Sequence, residues 1–322
     1  MASREFALID SYFKGKGHQR KDVVLGIGDD CALLAVSDNT LLAVTTDTLV
    51  AGVHFPENTP ARAIGHKAVA VNLSDLAAMG AEAAWLSLAL TLPEADEAWL
   101  AEFSAAVVEV CDYYGVTLVG GDTTRGPLSI TITAQGKIPT GKQLTRGGAK
   151  PGDWLFVTGT LGDAALGLAL VQGREQASSD NREYLINRLH YPTPRLAAGH
   201  SLRGIASAAI DISDGLAADL GHILKASHCG ANLFMERLPL SKALSGTVSQ
   251  EAAWQLALAG GDDYELLFTV PEAQKGALDT ALAHCGVKHN CIGQLRGGEG
   301  ISFLDHGQTI ELDVHGYEHS WS

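Results

Sequence analysis

Three times along this chain an apolar run gives way to glycine and aspartate: at Gly120-Gly121-Asp122, at Asp211-Ile212-Ser213-Asp214-Gly215 and at Gly260-Gly261-Asp262-Asp263. A fourth copy of the vocabulary, Gly26-Ile27-Gly28-Asp29-Asp30, stands near the N-terminus behind the short run that begins at Val23. Adjacent carboxylates make a poor core, and glycine joints let backbone turn or approach a neighbour closely. The fold must therefore place acidic turns where strands end. Read together, they form one acidic, glycine-jointed site drawn from distant parts of the chain.

The remaining pattern supplies an α+β frame for those turns. Residues 4–14 carry Phe6, Ile9 and Phe13 at helical spacing, and the basic, glycine-bearing stretch 14–21 reads as a surface loop in preference to a lid over a phosphorylated ligand. Strands over 23–27 and 41–50 precede a helix over 60–79, with Pro60 at its first position and Gly80 just beyond its end. Strand 84–92, helix 94–114, strand 116–119 and strand 129–136 complete a βαββ-like half with a mixed sheet. The glycine-rich stretch 141–152 is the best boundary. Residues 1–149 are expected to form an N-terminal domain and 150–322 a C-terminal domain, with strands over 154–158 and 207–212 and helices over 162–172, 181–189 and 216–226.

Composition narrows the classes of function. Lys+Arg 23 against Asp+Glu 37 leaves a net charge of -14, which disfavours non-specific binding to nucleic acid or an anionic membrane, and no local basic patch offsets it. The N-terminus meets charge within five residues and has no apolar signal core. Five cysteines form no C-x-x-C pair, as suits reduced thiols, so a cytoplasmic location is expected.

Periodicity places two of the acids more closely. Along strand 41–50 the side-chain period of two puts Thr45 and Asp47 on one face and Thr46 and Thr48 on the other. In the following helix Ile64, Ala68 and Val71 step by four and three, and the next step of four lands on Asp75. A carboxylate in the register of a buried stripe needs a compensating cation or a backbone cap.

Hard divalent cations are the common answer to gathered carboxylates, and Mg²⁺ with bridging phosphates suits these oxygen ligands. Backbone near Gly26, Gly28, Gly120 and Gly121 could then face phosphate oxygens, so acids and glycines together suggest Mg²⁺ with a nucleoside triphosphate. Competing machinery is missing from the sequence. No G-x-x-x-x-G-K-[ST] occurs, nor H-R-D with D-F-G, nor a zinc-type H-E-x-x-H. Gly159-Thr160-Leu161-Gly162 lacks the dinucleotide spacing and reads as a strand-to-helix turn.

With Gly26–Ala32, Thr45–Val50, Asn72–Ala81, Gly120–Gly126 and Asp211–Leu216 in this order, the chain resembles the thiamine-monophosphate kinases from Glu5 to about Tyr317. The Asp-Gly turns alone are shared with related ATP-using enzymes such as aminoimidazole ribonucleotide synthetase, which is the alternative enzyme reading. A non-catalytic Mg²⁺ and nucleotide-binding module is a third. The resemblance implies two α+β domains: an N-terminal mixed sheet that pairs across a homodimer, and a C-terminal α/β sandwich-like domain. It also implies ATP-dependent phosphorylation of thiamine monophosphate to thiamine diphosphate, with several Mg²⁺ ions and no general base.

By that resemblance Asp30, Thr45, Thr46, Asp47, Asp75, Asp122, Asp211 and Asp214 are metal ligands, and Gly121, Asp122, Arg146 and Ser213 bind ATP. His54, Asp262 and Tyr317 fall where the family contacts thiamine phosphate. Asp30 rather than Asp29 is the expected ligand of the first turn. Thr46 faces away from Asp47 in an ideal strand, so a role there requires a backbone contact, a twist or a strand end. Where the family has Gly-Gly-Glu-Asp-Tyr-Glu, this chain has Gly260-Gly261-Asp262-Asp263-Tyr264-Glu265, leaving Asp262 one methylene shorter.

Overall fold

Alternation along the strands decides what lies beside the acids. The computed structural model describes residues 4–27, 31–312 and 314. The chain divides into two compact units, Met1–Leu76 with Ala81–Gly141, and Ala77–Gly80 with Lys142–Ser322. Both combine helices and sheet, as the α+β reading expects.

The first unit contains α1 (Arg4–Tyr12), β1 (Val23–Leu25), β2 (Leu33–Leu34), β3 (Thr40–Val50), α2 (Ala61–Ala78), β4 (Glu82–Leu92), α3 (Glu97–Tyr114), β5 (Thr117–Arg125) and β6 (Ser129–Pro139). The short strands β1 and β2 pair with each other, and the other four form a sheet in the order β3-β6-β4-β5. Only β4 and β5 run parallel in it, so the sheet is mixed. Asp47 pairs with Ile132 and Ile132 with Leu88, so one carboxylate shares a row with two buried aliphatic side chains. One residue along, Thr46 pairs with Thr133 and Thr133 with Ser87, giving a hydroxyl row on the opposite face. Helix α3 starts at Glu97 because the Asp96 carboxylate accepts from the Ala98 and Trp99 amides.

Sequence reading ends strand β5 too early. It continues from Thr117 to Arg125 through Gly120-Gly121-Asp122, which were expected as a turn. A Cβ at Gly121, whose φ is 152, would fall 1.9 Å from the Leu88 carbonyl oxygen. The close approach that glycine permits here is to the neighbouring strand.

The second unit contains β7 (Trp154–Thr158), α4 (Asp163–Val171), α5 (Ser179–His190), α6 (Leu196–Ser201), β8 (Ala208–Asp211), α7 (Leu216–Ser227), β9 (Gly230–Phe234), α8 (Lys242–Ser245), α9 (Gln250–Ala259), β10 (Leu266–Val270), α10 (Lys275–Leu282), β11 (His289–Arg296), β12 (Ile301–Asp305) and β13 (Gln308–Ile310). Its seven strands lie in the order β13-β12-β9-β11-β7-β10-β8. All five residues of β10 are buried, and Phe268 stacks on Phe156 of β7 with ring centroids 5.7 Å apart. Strand β8 runs antiparallel to β10 with Asp211 opposite Leu266. That register sets the turn leaving β8 beside the loop entering β10. Gly159-Thr160-Leu161-Gly162 is the strand-to-helix turn the sequence indicates, leading from β7 into α4.

Candidate active site

In the first unit the structure brings Thr45, Asp47 and Asp75 together. Strand β3 turns Thr45 and Asp47 to the face that also carries Ile132 and Leu88, and α2 delivers Asp75 there. The Thr45 hydroxyl donates to Asp75 Oδ2, and the Asp47 amide donates to Asn72 Oδ1 at 3.2 Å. Burial pushes the Asp47 carboxyl up to about 6, and the charge and hydrogen bond of Asp75 push the same way. Two oxygen-rich side chains are thus held close despite like charge, with a hydroxyl beside them. Thr46 stands on the other face, its hydroxyl 2.9 Å from that of Thr133.

Asn72 was absent from the expected site, although it lies in the quoted Asn72–Ala81 block. Its carboxamide joins the two elements, accepting from Asp47 on β3 while Nδ2 donates to the Ala68 carbonyl at 3.1 Å. A buried Asn three residues before an acid in a helix is the signal that could have found it.

Gly120, Gly121 and Asp122 line a cavity of about 850 Å³ in this unit, together with Gly26, Ile27 and Gln135. Nothing lies within 4 Å of a Cβ built at Gly120, so that backbone faces open space. Asp30 lies outside the described residues, as does Tyr317. His54 is half-buried, and its Nδ1 accepts from the Val50 amide at 3.0 Å, which ties the turn after β3 to the end of that strand.

In the second unit, Ser213 and Asp214 occupy the turn between β8 and α7. Their amides both donate to Asp219 Oδ2, at 3.0 and 3.1 Å. Asp219 is buried in the first turn of α7, and burial pushes its carboxyl up to about 7 against the two amide bonds. It too was missed, although an acid in the first turn of a helix is a readable signal. Arg146 is exposed, and its charge favours ionised Asp219.

The Asp262 loop is hydrogen-bonded onto that turn. The Asp262 amide donates to the Ser213 carbonyl at 2.9 Å, the Tyr264 amide to Ile212 at 2.8 Å, and the Ile212 amide to Glu265 at 2.8 Å. A Cβ at Gly261 would sit 2.3 Å from the Ser213 carbonyl oxygen, so the contact requires glycine. Ser213 and Asp214 on one side, just beyond Asp211 at the end of β8, and Asp262 on the other therefore belong to one pair of joined loops.

A buried ion cage supports the same loop. Glu265 is 1% exposed, and Arg195 grips it through Nε and Nη2, both at 2.6 Å. Arg188 Nη2 adds a bond at 3.0 Å and the Thr158 hydroxyl one at 2.7 Å. Buried Asp163 accepts from Ser241 at 2.5 Å and Thr160 at 2.6 Å. Asp263 accepts from the Gly162 amide at 2.8 Å, and full burial raises its carboxyl well above the usual range.

Among the described residues, no group of three or more His, Cys, Asp or Glu side chains is gathered as a complete metal cluster. Among them also, no helix is long and apolar enough to cross a membrane.

The family described as AIR synthase related protein matches in both parts, the N-terminal domain over residues 28–138 and the C-terminal domain over 150–306. Thiamine-monophosphate kinase of Escherichia coli (strain K12) is 56% identical over 322 residues, covering 99% of each chain. The crystal structure of thiamine-monophosphate kinase from Stenotrophomonas maltophilia K279a superposes with a TM-score of 0.85 at 46% identity, covering 91% of this chain and 93% of the other. AaThiL complexed with AMPPCP and TMP superposes with a TM-score of 0.77 at 33% identity, covering 91% and 92%.

Proposed function

The chain belongs to the thiamine-monophosphate kinase family, within the AIR synthase related proteins, and we propose on that premise that it transfers the terminal phosphoryl group of ATP to thiamine monophosphate, giving thiamine diphosphate and ADP. The observation that carries the reading is likeness along the whole chain to kinases of this one specificity, including a relative whose complex holds an ATP analogue with TMP. Residues 1–149 would supply the first acidic face, and 150–322 the joined loops.

The chemistry asks little of a general base. The attacking atom is a phosphate oxygen already ionised near neutral pH, so the protein's task is to hold two anionic groups together in line. The residues present fit Mg²⁺: hard oxygen donors, and an Asp47 whose carboxyl rises because it is buried beside Asp75. Asp30, Thr45, Thr46, Asp47, Asp75, Asp122, Asp211 and Asp214 would hold the ions, with Thr46 contributing through its backbone. Bound Mg²⁺ would screen the repulsion between the two phosphate groups and neutralise charge on the group in transfer.

Around those ions this chain's residues position the substrates. Asn72 and Thr45 fix the two acids of the first face. The cavity beside Gly120 and Asp122 has room for a nucleotide, and Gly121, Asp122, Arg146 and Ser213 are the residues we assign to ATP. His54, Asp262 and Tyr317 are the residues we assign to thiamine phosphate, whose cationic thiazolium suits a carboxylate. A homodimer completes the reading: β3 is an outer strand of its sheet, and Leu41, Leu42 and Val44 on it are 42%, 49% and 58% exposed, a long apolar edge that a second copy would cover. A cytoplasmic location fits the five free cysteines.

Purified protein incubated with ATP, Mg²⁺ and thiamine monophosphate should form thiamine diphosphate and ADP in equal amounts. A folded preparation that forms none would sink the proposal.

A further inference from the structure

The loop that carries Asp262 has an uncommon backbone. Asp262 and Tyr264 both take left-handed conformations, with φ of 70 and 49, and neither is glycine. Left-handed backbone is unfavourable for a residue with a Cβ and persists where surrounding contacts over-determine it. Here they do. Asp262 and Tyr264 donate their amides across to the 212–213 turn, Asp263 between them is fixed by Gly162, and Glu265 just beyond is clamped by two arginines and a threonine.

Those contacts fix the backbone. The Tyr264 hydroxyl acts on the side chain, donating to Asp262 Oδ1 at 3.1 Å. Side chains two residues apart share a face only in an extended strand; in this loop the left-handed backbone at both positions brings the phenol over the carboxylate. Tyr264 is 8% exposed, so its ring is packed and the hydroxyl is not free to wander. Such a bond restrains the rotamer of the carboxylate.

We propose that Tyr264 is a positioning residue of the substrate site, its phenol aiming the Asp262 carboxylate at the cationic portion of thiamine monophosphate. The inference rests on the kinase reading and adds the residue that orients its carboxylate. The short Asp side chain makes the device effective, since one hydrogen bond restrains both of its torsions.

Steady-state kinetics of Tyr264→Phe, at saturating Mg²⁺, test it. Loss of one hydrogen bond to a charged group should raise KM for thiamine monophosphate roughly tenfold. The KM for ATP should stay at the wild-type value and kcat within about twofold, a split that a general loss of packing would not produce. Added to Asp262→Ala, the same change should alter KM by less than about twofold, because the phenol has nothing left to orient. An unaltered KM in folded Tyr264→Phe, or full additivity with Asp262→Ala, overturns the inference. Site-specific 3-fluorotyrosine at 264 supplies a near-isosteric readout: its fluorine resonance should move when thiamine monophosphate is added, and an unmoved resonance under saturation also overturns it. No turnover by the wild-type protein overturns the kinase reading and this inference together. Wild-type turnover with a normal variant removes this inference alone.

Discussion

Two groups of buried or half-buried carboxylates in this molecule are solved in opposite ways. Glu265 in the second unit is bracketed by Arg188 and Arg195 and a threonine hydroxyl, so its charge is answered by the chain itself. Asp47 in the first unit owes its raised carboxyl to burial and to a second carboxylate. The same residue class thus serves stability in one place and is kept under electrostatic tension in the other. Self-compensated acids build a scaffold, whereas acids set against each other suit a cation that arrives with the substrate.

The comparison breaks most readily at Asp47. Asp47→Asn keeps the shape, removes one ligand charge and relieves the repulsion with Asp75. Turnover of thiamine monophosphate should fall about a hundredfold or more at ordinary Mg²⁺. The melting temperature of the metal-free protein should stay within about 2 °C of wild type or rise. Kinetics and calorimetry on one preparation check both, and wild-type turnover would end the assignment.

Glu265→Gln should show the reverse pattern. The substitution leaves two guanidinium groups facing a neutral amide in a buried cage, and breaking a buried pair costs about 3–5 kcal/mol. Urea denaturation should register that loss directly. Stability within about 1 kcal/mol of wild type would mean the cage does not support the fold as described.

Asp22 sharpens the contrast, because it is a compensated acid in the first unit. The Arg20 hydrogen bond, with Lys137 beside it, holds its carboxyl well below the usual range against a smaller effect of burial. A depressed folded value means the stabilisation is present above the unfolded value near 4 and is lost as pH falls below it. Asp22→Asn should therefore cost about 1–2 kcal/mol at neutral pH. The gap to wild type should close as the pH is taken from 5 downward, and a gap independent of pH would point to packing instead of charge.

Legibility from sequence follows the range of the interactions. Period two placed Thr45 and Asp47 on one face, and helical stepping brought Asp75 into the buried register, because both depend on local geometry. Asn72, Asp219 and Tyr264 escaped notice because their roles depend on partners that only folding identifies. The ion cage escaped for the same reason: Arg188 and Arg195 lie 77 and 70 residues from Glu265. At Gly120-Gly121-Asp122 the local signal misled, since glycine that suggested a turn instead lets β5 press against the Leu88 carbonyl.

The smallest expected effect is at Thr46, beside the most sensitive acid in the chain. Its hydroxyl pairs with Thr133 on the face opposite Asp47, so the side chain and the acid pair look in different directions. Any contact of residue 46 with a metal must then pass through its backbone, which a change of side chain leaves in place. Thr46→Val preserves the β-branched shape and strand propensity while removing the hydroxyl. Turnover should change by less than about threefold, against the hundredfold or greater loss at Asp47. Dependence on Mg²⁺ concentration should match wild type. A loss comparable to that of Asp47→Asn would mean that β3 twists at the site in the working enzyme, and the opposition of faces that separates Thr46 from Asp47 would no longer hold.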